Sequence, residues 1–326
     1  MDDVLSITDL TRRFGAVTAN DAIGLRVRPG EVVGLLGHNG AGKTTLVSQL
    51  VGLLRPDAGT IRVGGIDAVG RPAAARARVA LQPQGQAPID GLTPRTAIEI
   101  AGRIRGLGAP AARAVADDLA EELDLLPFLD RRALPEGGGL SGGIRRLTAF
   151  AMAVATPTPL LVLDEPTNDI DASRRRRLWA AVRRRADDGA GVLLVTHNVT
   201  EAERIVDELV VLHHGRVVAT GSPAQLRGTQ GHDLCLELQL PPEGAGPPTD
   251  RGEVPVEVVR EVRTGRRVLL TIPADQVATA VTWTSDLHGS GLIDGYTLGP
   301  ATLEDAYLGL TADERGTTEE AEVTHV

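Results

Sequence analysis

The chain has 326 residues, 42% of them hydrophobic, which is enough for a sizeable core and too many for one average domain, so about two domains are expected. Its net charge of −9 argues against nonspecific binding to nucleic acid or anionic lipid as the main activity. The single cysteine, Cys235, excludes an internal disulfide and fits a reducing compartment, with the cytosol as the default. No apolar run approaches the roughly 18 residues that span a bilayer, and the acidic N-terminus MDDVLSITDL has no signal-peptide pattern, so a chain soluble by itself is expected.

Val4 to Leu10 reads as a short strand, and an alternating stretch from Ile23 to Val27 closes on the turn Arg28-Pro29-Gly30, which together predict an antiparallel flap. Between them lies Phe14, in a chain with only three Phe, two Trp and two Tyr. An aromatic there either stacks on a base or joins the core. The stretch that organises the chain follows: VVGLLGHNGAGKTTL, Val32 to Leu46. Gly37, Gly42, Lys43 and Thr44 satisfy G-x-x-x-x-G-K-[ST], with an apolar strand before and a helix start after. Glycines at 37, 40 and 42 let the backbone curl so that amides point inward at phosphate oxygens, and the helix adds its positive end. Lys43 is the chain's only lysine among 34 basic residues, and it occupies the one position that needs a compact ammonium between phosphates.

Further on, LLRPDAGTIRVGGIDA predicts a turn and a hairpin, and Val79 to Gln84 a strand ending in a polar loop. Pro94 to about Leu129 has helical spacing and reads as a helical insert. A glycine-rich turn, Gly137 to Gly143, opens a helix from about Ile144 to Ala155 and forms a second anion-binding device. Leu160 to Pro166 reads as a strand buried on both faces that ends in Asp164 and Glu165; Gly191 to Thr196 is a second such strand, ending in His197. Acids at a strand's carboxyl end sit where α/β sheets bind ligands. The arginine runs at 174 to 177 and 183 to 185 read as solvated helix faces. A hairpin from Leu209 to Thr220 has His213, His214 and Gly215 at its turn; the two histidines read as turn residues and no metal cluster is indicated. Near Gly228 the pattern changes. Strands at His232 to Leu240, Val254 to Val262, Arg267 to Ile272 and Leu292 to Leu298, with a helix from Ala274 to Leu287, predict a small α+β domain. The acidic end, residues 311–326, reads as disordered.

Taken together, residues 4–228 resemble the nucleotide-binding subunit of an ABC transporter. GHNGAGKTT is similar to its Walker A, Gln84 to its Q-loop glutamine, LSGG at 140–143 to its signature, LVLDEP to its Walker B, Asp171 to its D-loop aspartate and His197 to its switch histidine. The remainder, ending TLEDAYLGLT, is similar to the C-terminal domain of antibiotic-exporter ATPase subunits of the daunorubicin-resistance kind. The implied fold is a P-loop NTPase core with an antiparallel β subdomain and a helical subdomain at about 94–155, all within residues 1–228, followed by an α+β domain at 229–310. Ile144, where the family often has Gln, and Asp169, where it often has Gly, depart from the pattern.

The resemblance implies ATP and Mg²⁺ as ligands. ATP would lie on Gly37, His38, Asn39, Gly40, Ala41, Gly42, Lys43, Thr44 and Thr45, with Phe14 against the adenine. Hydrolysis needs charge neutralisation, a metal and a positioned water. Lys43 and the loop amides supply the first; Thr44 and, through water, Asp164 suit the metal; Glu165 is placed to polarise the water. His197 would contact the γ-phosphate and Gln84 would sense metal and water. Ser141, Gly142, Gly143 and Asp171 would serve ATP held by another subunit, so a homodimer or heterodimer is implied. The expected function is an ATPase at the cytoplasmic face of the membrane, docked through the helical insert on a separate permease, powering export of a drug-like, antibiotic or lipid-like compound. No nucleic-acid partner is expected. The alternatives are a non-transport ABC ATPase acting on ribosome or DNA complexes, whose members carry two cassettes or a long coiled coil, and a nucleotide sensor that barely hydrolyses ATP.

Overall fold

A computed structural model of the chain describes residues 2–135, 138–227, 233–242, 248–250, 254–300, 302–303 and 307. Gly137, much of the TLEDAYLGLT stretch and the acidic tail lie outside these residues. By its internal contacts the chain divides into Met1–Val218 and Ala219–Val326. That division falls inside an edge strand, ahead of the composition change near Gly228, because an edge strand packs on one neighbour only.

The first unit opens with a long antiparallel hairpin, β1 (Leu5–Phe14) and β2 (Val17–Val27). Both strands run further than the alternation predicts. Asp9 and Ala22 sit at φ 50°, and the register shifts between Ile7 and Leu10 and again towards Arg13, so each bulge breaks the period-2 pattern while the ladder continues. After β3 (Val32–Leu36) and α1 (Lys43–Leu50), β4 (Ala58–Val63) pairs with β1, and β5 (Ile66–Asp67) folds back through Gly64-Gly65. The sheet order is β2-β1-β4-β5.

The second sheet takes α2 (Pro72–Arg76) and β6 (Val79–Gln82) into the helical segment: α3 (Pro94–Ile104), α4 (Ala109–Glu122), a 3₁₀ turn at Leu126–Phe128 and α5 (Gly142–Ala153). Helix α3 starts cleanly because Thr93 accepts from Thr96 N and Pro94 tolerates the first helical position. It packs on α4 and α5 through Ala97 and Ile98, with Ala112, Ala116, Leu119 and Ala120 buried on α4. Strands β7 (Leu160–Asp164) and β8 (Gly191–Thr196) flank α6 (Ala172–Asp187), and α7 (Val199–Glu203) leads to β9 (Glu208–His213) and β10 (Arg216–Gly221). The order is β10-β9-β3-β8-β7-β6.

Strands β3, β7 and β8 are buried at every residue, as expected of parallel strands covered on both faces. Parallel registers pair Leu36 with Thr196 and Asp164 with Val195. The loops after β3, β7 and β8 therefore leave the sheet at one edge. The core joins both sheets through Leu5, Ile7, Ile61, Leu35, Leu46, Val162 and Val195.

The second unit contains α8 (Pro223–Arg227), β11 (Asp233–Gln239), β12 (Arg260–Thr264), β13 (Arg267–Pro273), α9 (Val277–Gly289) and β14 (Gly295–Pro300). Its antiparallel sheet has the order β12-β13-β11-β14, over a core of Leu236, Leu238, Leu270, Ile272, Ala280 and Ile293. The strand expected at Val254 to Val262 is regular only from Arg260. Pro255 withdraws a ladder donor, and Val254, Val256 and Val258 still pack against the core at alternate positions.

Candidate functional site

The buried run of β3 delivers the chain at the sheet edge to Gly37, where a Cβ would meet Leu212 O at 2.6 Å. Gly42 precedes α1 at φ 103°, and a Cβ there would meet Ala19 O at 2.2 Å, so both the space and the dihedral demand glycine. No side chain caps α1, which leaves its first amides for a ligand. Asn39, Gly40 and Thr44 are exposed, Thr45 is half-buried and Ala41 is buried. The Lys43 side chain is 8% exposed and folds back so that Nζ donates to Gly37 O at 2.6 Å and His38 O at 3.1 Å. Burial draws its pKa down, and the charges of Glu165 and Asp164 oppose that shift.

Two acids close the same edge. Asp164 ends β7, and burial first, then the charge of Glu165, pushes its carboxyl up to about 6, against the pull of Lys43 and Arg146. Glu165 is 3% exposed at φ 48°. Its Oε2 accepts from Thr196 Oγ1 at 2.9 Å, and its Oε1 accepts from His197 N at 2.9 Å and pairs with His197 Nδ1 at 2.6 Å. The carboxylate is thereby held from two sides by the end of β8.

A cleft of about 390 Å³ gathers Asn39, Gly40, Gly42, Lys43, Thr44, Thr45, Gln84, Asp164 and Glu165, and Val17, Thr18, Ala19, His214 and Gly215 also line it. Gln84 reaches it from the exposed loop after β6. That loop is fastened to α5: Arg146 Nη1 donates to Gln84 O at 2.6 Å and Pro83 O at 3.3 Å, and Gln82 Nε2 donates to Arg146 O at 3.3 Å. Phe14 is not among the cleft's lining residues; it is 45% exposed, with the Arg12 guanidinium 4.7 Å from its ring centroid.

The glycine-rich turn before α5 lies apart from the cleft. Ser141 caps α5 by accepting from Ile144 N at 3.4 Å and borders a separate hollow with Phe128, Arg131, Gly139 and Leu140. Arg145 is buried and binds Asp90 at 2.7 Å, together with the carbonyls of Leu134 and Gly138, which fixes the loop behind the turn. A Cβ on Gly142 would come 3.1 Å from Asp169 Oδ2, and one on Gly143 2.5 Å from Asp169 O, so Asp169 packs directly on the turn. Asp171 caps α6, accepting from Ser173 N and Arg174 N at 3.0 Å each, and these bonds hold its carboxyl below the usual range.

Thr196 and Arg146 were not singled out by the sequence, although one adjoins His197 and the other follows LSGG. The sequence indicates no metal cluster, but the structure brings together three histidines that it left apart. His213 ends β9 and His214 sits at the turn as expected, but the His38 ring lies 5.0 and 5.4 Å from theirs, so three imidazoles meet. Residues this distant in sequence leave no local signal.

A family model described as ABC transporter matches residues 21–168. The chain is 36% identical to the daunorubicin resistance ATP-binding protein DrrA3 of Streptomyces coeruleorubidus, over 98% of this chain and 99% of that protein. It is 35% identical to Nod factor export ATP-binding protein I of Paraburkholderia xenovorans, over 93% and 95% of the two chains. A solved ATP binding subunit of an ABC transporter superposes with a TM-score of 0.63 at 29% identity, covering 69% of this chain and 92% of the other. An uncapped phosphate cradle beside two buried acids is what an ATPase needs, and this likeness extends along almost the whole chain: it belongs to the ATP-binding subunits of ABC transporters, a family of ATPases.

Proposed function

We propose that the chain is the ATP-hydrolysing subunit that docks on a separate membrane permease and powers export of a drug-like, antibiotic or lipid-like compound. The observation that carries hydrolysis is the cleft in which Lys43, Thr44, Gln84, Asp164 and Glu165 converge. Export rests on the near full-length likeness to proteins named for drug resistance and Nod factor export. Among the described residues no helix is long and apolar enough to cross a membrane, so the path for cargo would come from the permease. The helical segment at about 94–155 is the proposed docking side, at the cytoplasmic face of the membrane.

In the proposed mechanism the triphosphate lies on the amides from Gly37 to Thr45, and Lys43 leaves the Gly37 and His38 carbonyls for the β and γ oxygens. Thr44, Gln84 and Asp164 offer hydroxyl, amide and carboxylate oxygens, a donor set that fits a hard divalent cation, and burial, then the charge of Glu165, makes the ionised Asp164 costly in its absence. Mg²⁺ bound there would neutralise charge on the phosphate oxygens. Glu165, held by Thr196 and His197, accepts a proton from the attacking water, and His197 reaches the γ-phosphate from the exposed side. Phe14, paired across the hairpin with the cleft-lining Val17, packs on the adenine. Ser141, Gly142, Gly143 and Asp171 complete the site of a second cassette, which requires a homodimer or heterodimer. The proposed division is 1–228 for the ATPase and 229–310 for an accessory domain that strengthens or regulates the dimer.

The test is to tag the chain, purify it with ATP from detergent-solubilised membranes of its host and identify what accompanies it by mass spectrometry. A multi-span permease is the expected partner. Recovery only from the soluble fraction, with ribosomal or DNA-associated proteins, would overturn the exporter reading.

A further inference from the structure

We propose that His38, His213 and His214 form a binding site for a borderline divalent transition-metal ion, such as zinc, on the flank of the phosphate cradle and separate from the Mg²⁺ donors. One ring nitrogen from each residue lies within 4.8 Å of the other two, and the ring centroids are 4.2 to 5.4 Å apart. Imidazole nitrogens suit zinc, copper, nickel or cobalt and discriminate against magnesium, which prefers oxygen.

His38 carries the argument furthest. Its Nδ1 lies 2.6 Å from Asn39 O, and a carbonyl oxygen can only accept, so Nδ1 bears the hydrogen. The lone pair is then on Nε2, which is buried and has no hydrogen-bond partner among the described residues. A metal-binding histidine has this form: the far N–H is anchored on a backbone carbonyl, the tautomer is fixed and the other nitrogen is presented bare. Edge-to-face packing of the three rings does not by itself satisfy that lone pair.

The scaffold also holds the three residues in place. His38 O accepts from Ala41 N at 3.1 Å. The turn bearing His214 is tied to the cradle by Gly215 N donating to Ala41 O at 3.1 Å, and to β2 by Asp21 N donating to Gly215 O at 2.8 Å. His214 at φ 44° and Gly215 at φ 78° both adopt the left-handed conformation of a tight hairpin turn. Metal–nitrogen bonds of about 2.0–2.1 Å place tetrahedral ligands about 3.3 Å apart, so the rings must draw together. His214, exposed and lining the cleft, has the room to make most of that movement. Three imidazoles leave a fourth position for water. No step of the proposed hydrolysis uses these three rings. Because His38 O also accepts from Lys43 Nζ, an ion on the His38 ring would be coupled to the lysine that meets phosphate.

The test uses the full chain with its affinity tag removed and no nucleotide present. Co²⁺ is titrated while the visible bands of a four-coordinate ion are followed, and Zn²⁺ is then used as competitor. One ion per chain is expected, displaced by Zn²⁺. His214→Asn keeps a residue type that tolerates positive φ and should weaken Zn²⁺ binding at least about 10-fold. His213→Leu should do the same, and His288→Gln, in the other unit, should change nothing. Binding well below one equivalent, displacement by millimolar Mg²⁺, an equal loss in His288→Gln, or full binding in both His213→Leu and His214→Asn would each overturn the site.

Discussion

Helices α1 and α5 both begin at glycine-rich turns, and their first turns are finished in opposite ways. At α1 the capping position is Gly42, no side chain makes a capping hydrogen bond, and Lys43 lines the same cleft. At α5 the capping position is Ser141, whose own oxygen takes Ile144 N, and no acidic or lysine side chain lines the hollow beside it. The first end is a phosphate site ready to work. The second has one amide taken by its own cap and an exposed serine beside it. The same sequence signal, glycines opening a helix, therefore describes two different devices, and the capping residue separates them.

The strongest test leaves both helix ends intact and removes the proposed base, Glu165, from the cleft at the α1 end. Glu165→Gln should lower ATP hydrolysis by roughly 10²–10⁴-fold, the range for a general base, while fluorescent-nucleotide titration shows ATP still bound. Parental phosphate release from this variant would remove Glu165 from the mechanism. Next, Lys43→Ala strips the ammonium from the open end and should cost about 10²–10³-fold in turnover, as for loss of a preorganised charged donor. If the open end is sufficient by its amides alone, nucleotide affinity will be unchanged and the comparison fails.

The cradle, the buried strands β7 and β8, the acids that close β7 and the histidine that follows β8 were legible because each is a local device: a glycine spacing, an apolar run, a residue one step past a strand. The longer β1 and β2 were not, since the bulges at Asp9 and Ala22 interrupt alternation without ending the ladder. Nor was the Glu165–His197 pair, because the parallel register of β7 and β8 brings the two together, and register is not written in either segment. The His38, His213 and His214 cluster was hidden for the same reason, with β3 and β9 adjacent in the sheet but far apart in the chain.

A smaller effect concerns Asp164, whose ionisation in the cleft costs stability in the nucleotide-free protein. Its carboxyl is raised from 3.8 to about 6, so between those values the folded state binds more protons than the unfolded state and stability falls as pH rises. Above about pH 6 the full cost is present, roughly 3 kcal/mol from the size of the shift. Asp164→Asn should therefore stabilise the nucleotide-free protein against urea at pH 7.5, and the gain should shrink at pH 5, while Mg²⁺-dependent hydrolysis is lost. An equal gain at both pH values would show that burial of the charge is not its cause.

The smallest effect tests the capped end. Ser141→Ala removes one helix cap and should cost about 1 kcal/mol in stability. If the hydroxyl also serves a neighbouring cassette, as proposed, hydrolysis should drop by more than that loss explains. Mixing distinguishes the two roles. In a homodimer of composite sites, a Ser141→Ala chain paired with a Lys43→Ala chain holds one site with both defects and one with neither, since the intact lysine faces the intact serine. Random pairing in an equal mixture should then restore turnover to about a quarter of the parental rate, although each variant alone stays low. If the mixture is no more active than its components, Ser141 serves only α5 or the partner cassette is a different chain, and adding the permease complex isolated from the host would decide between the two.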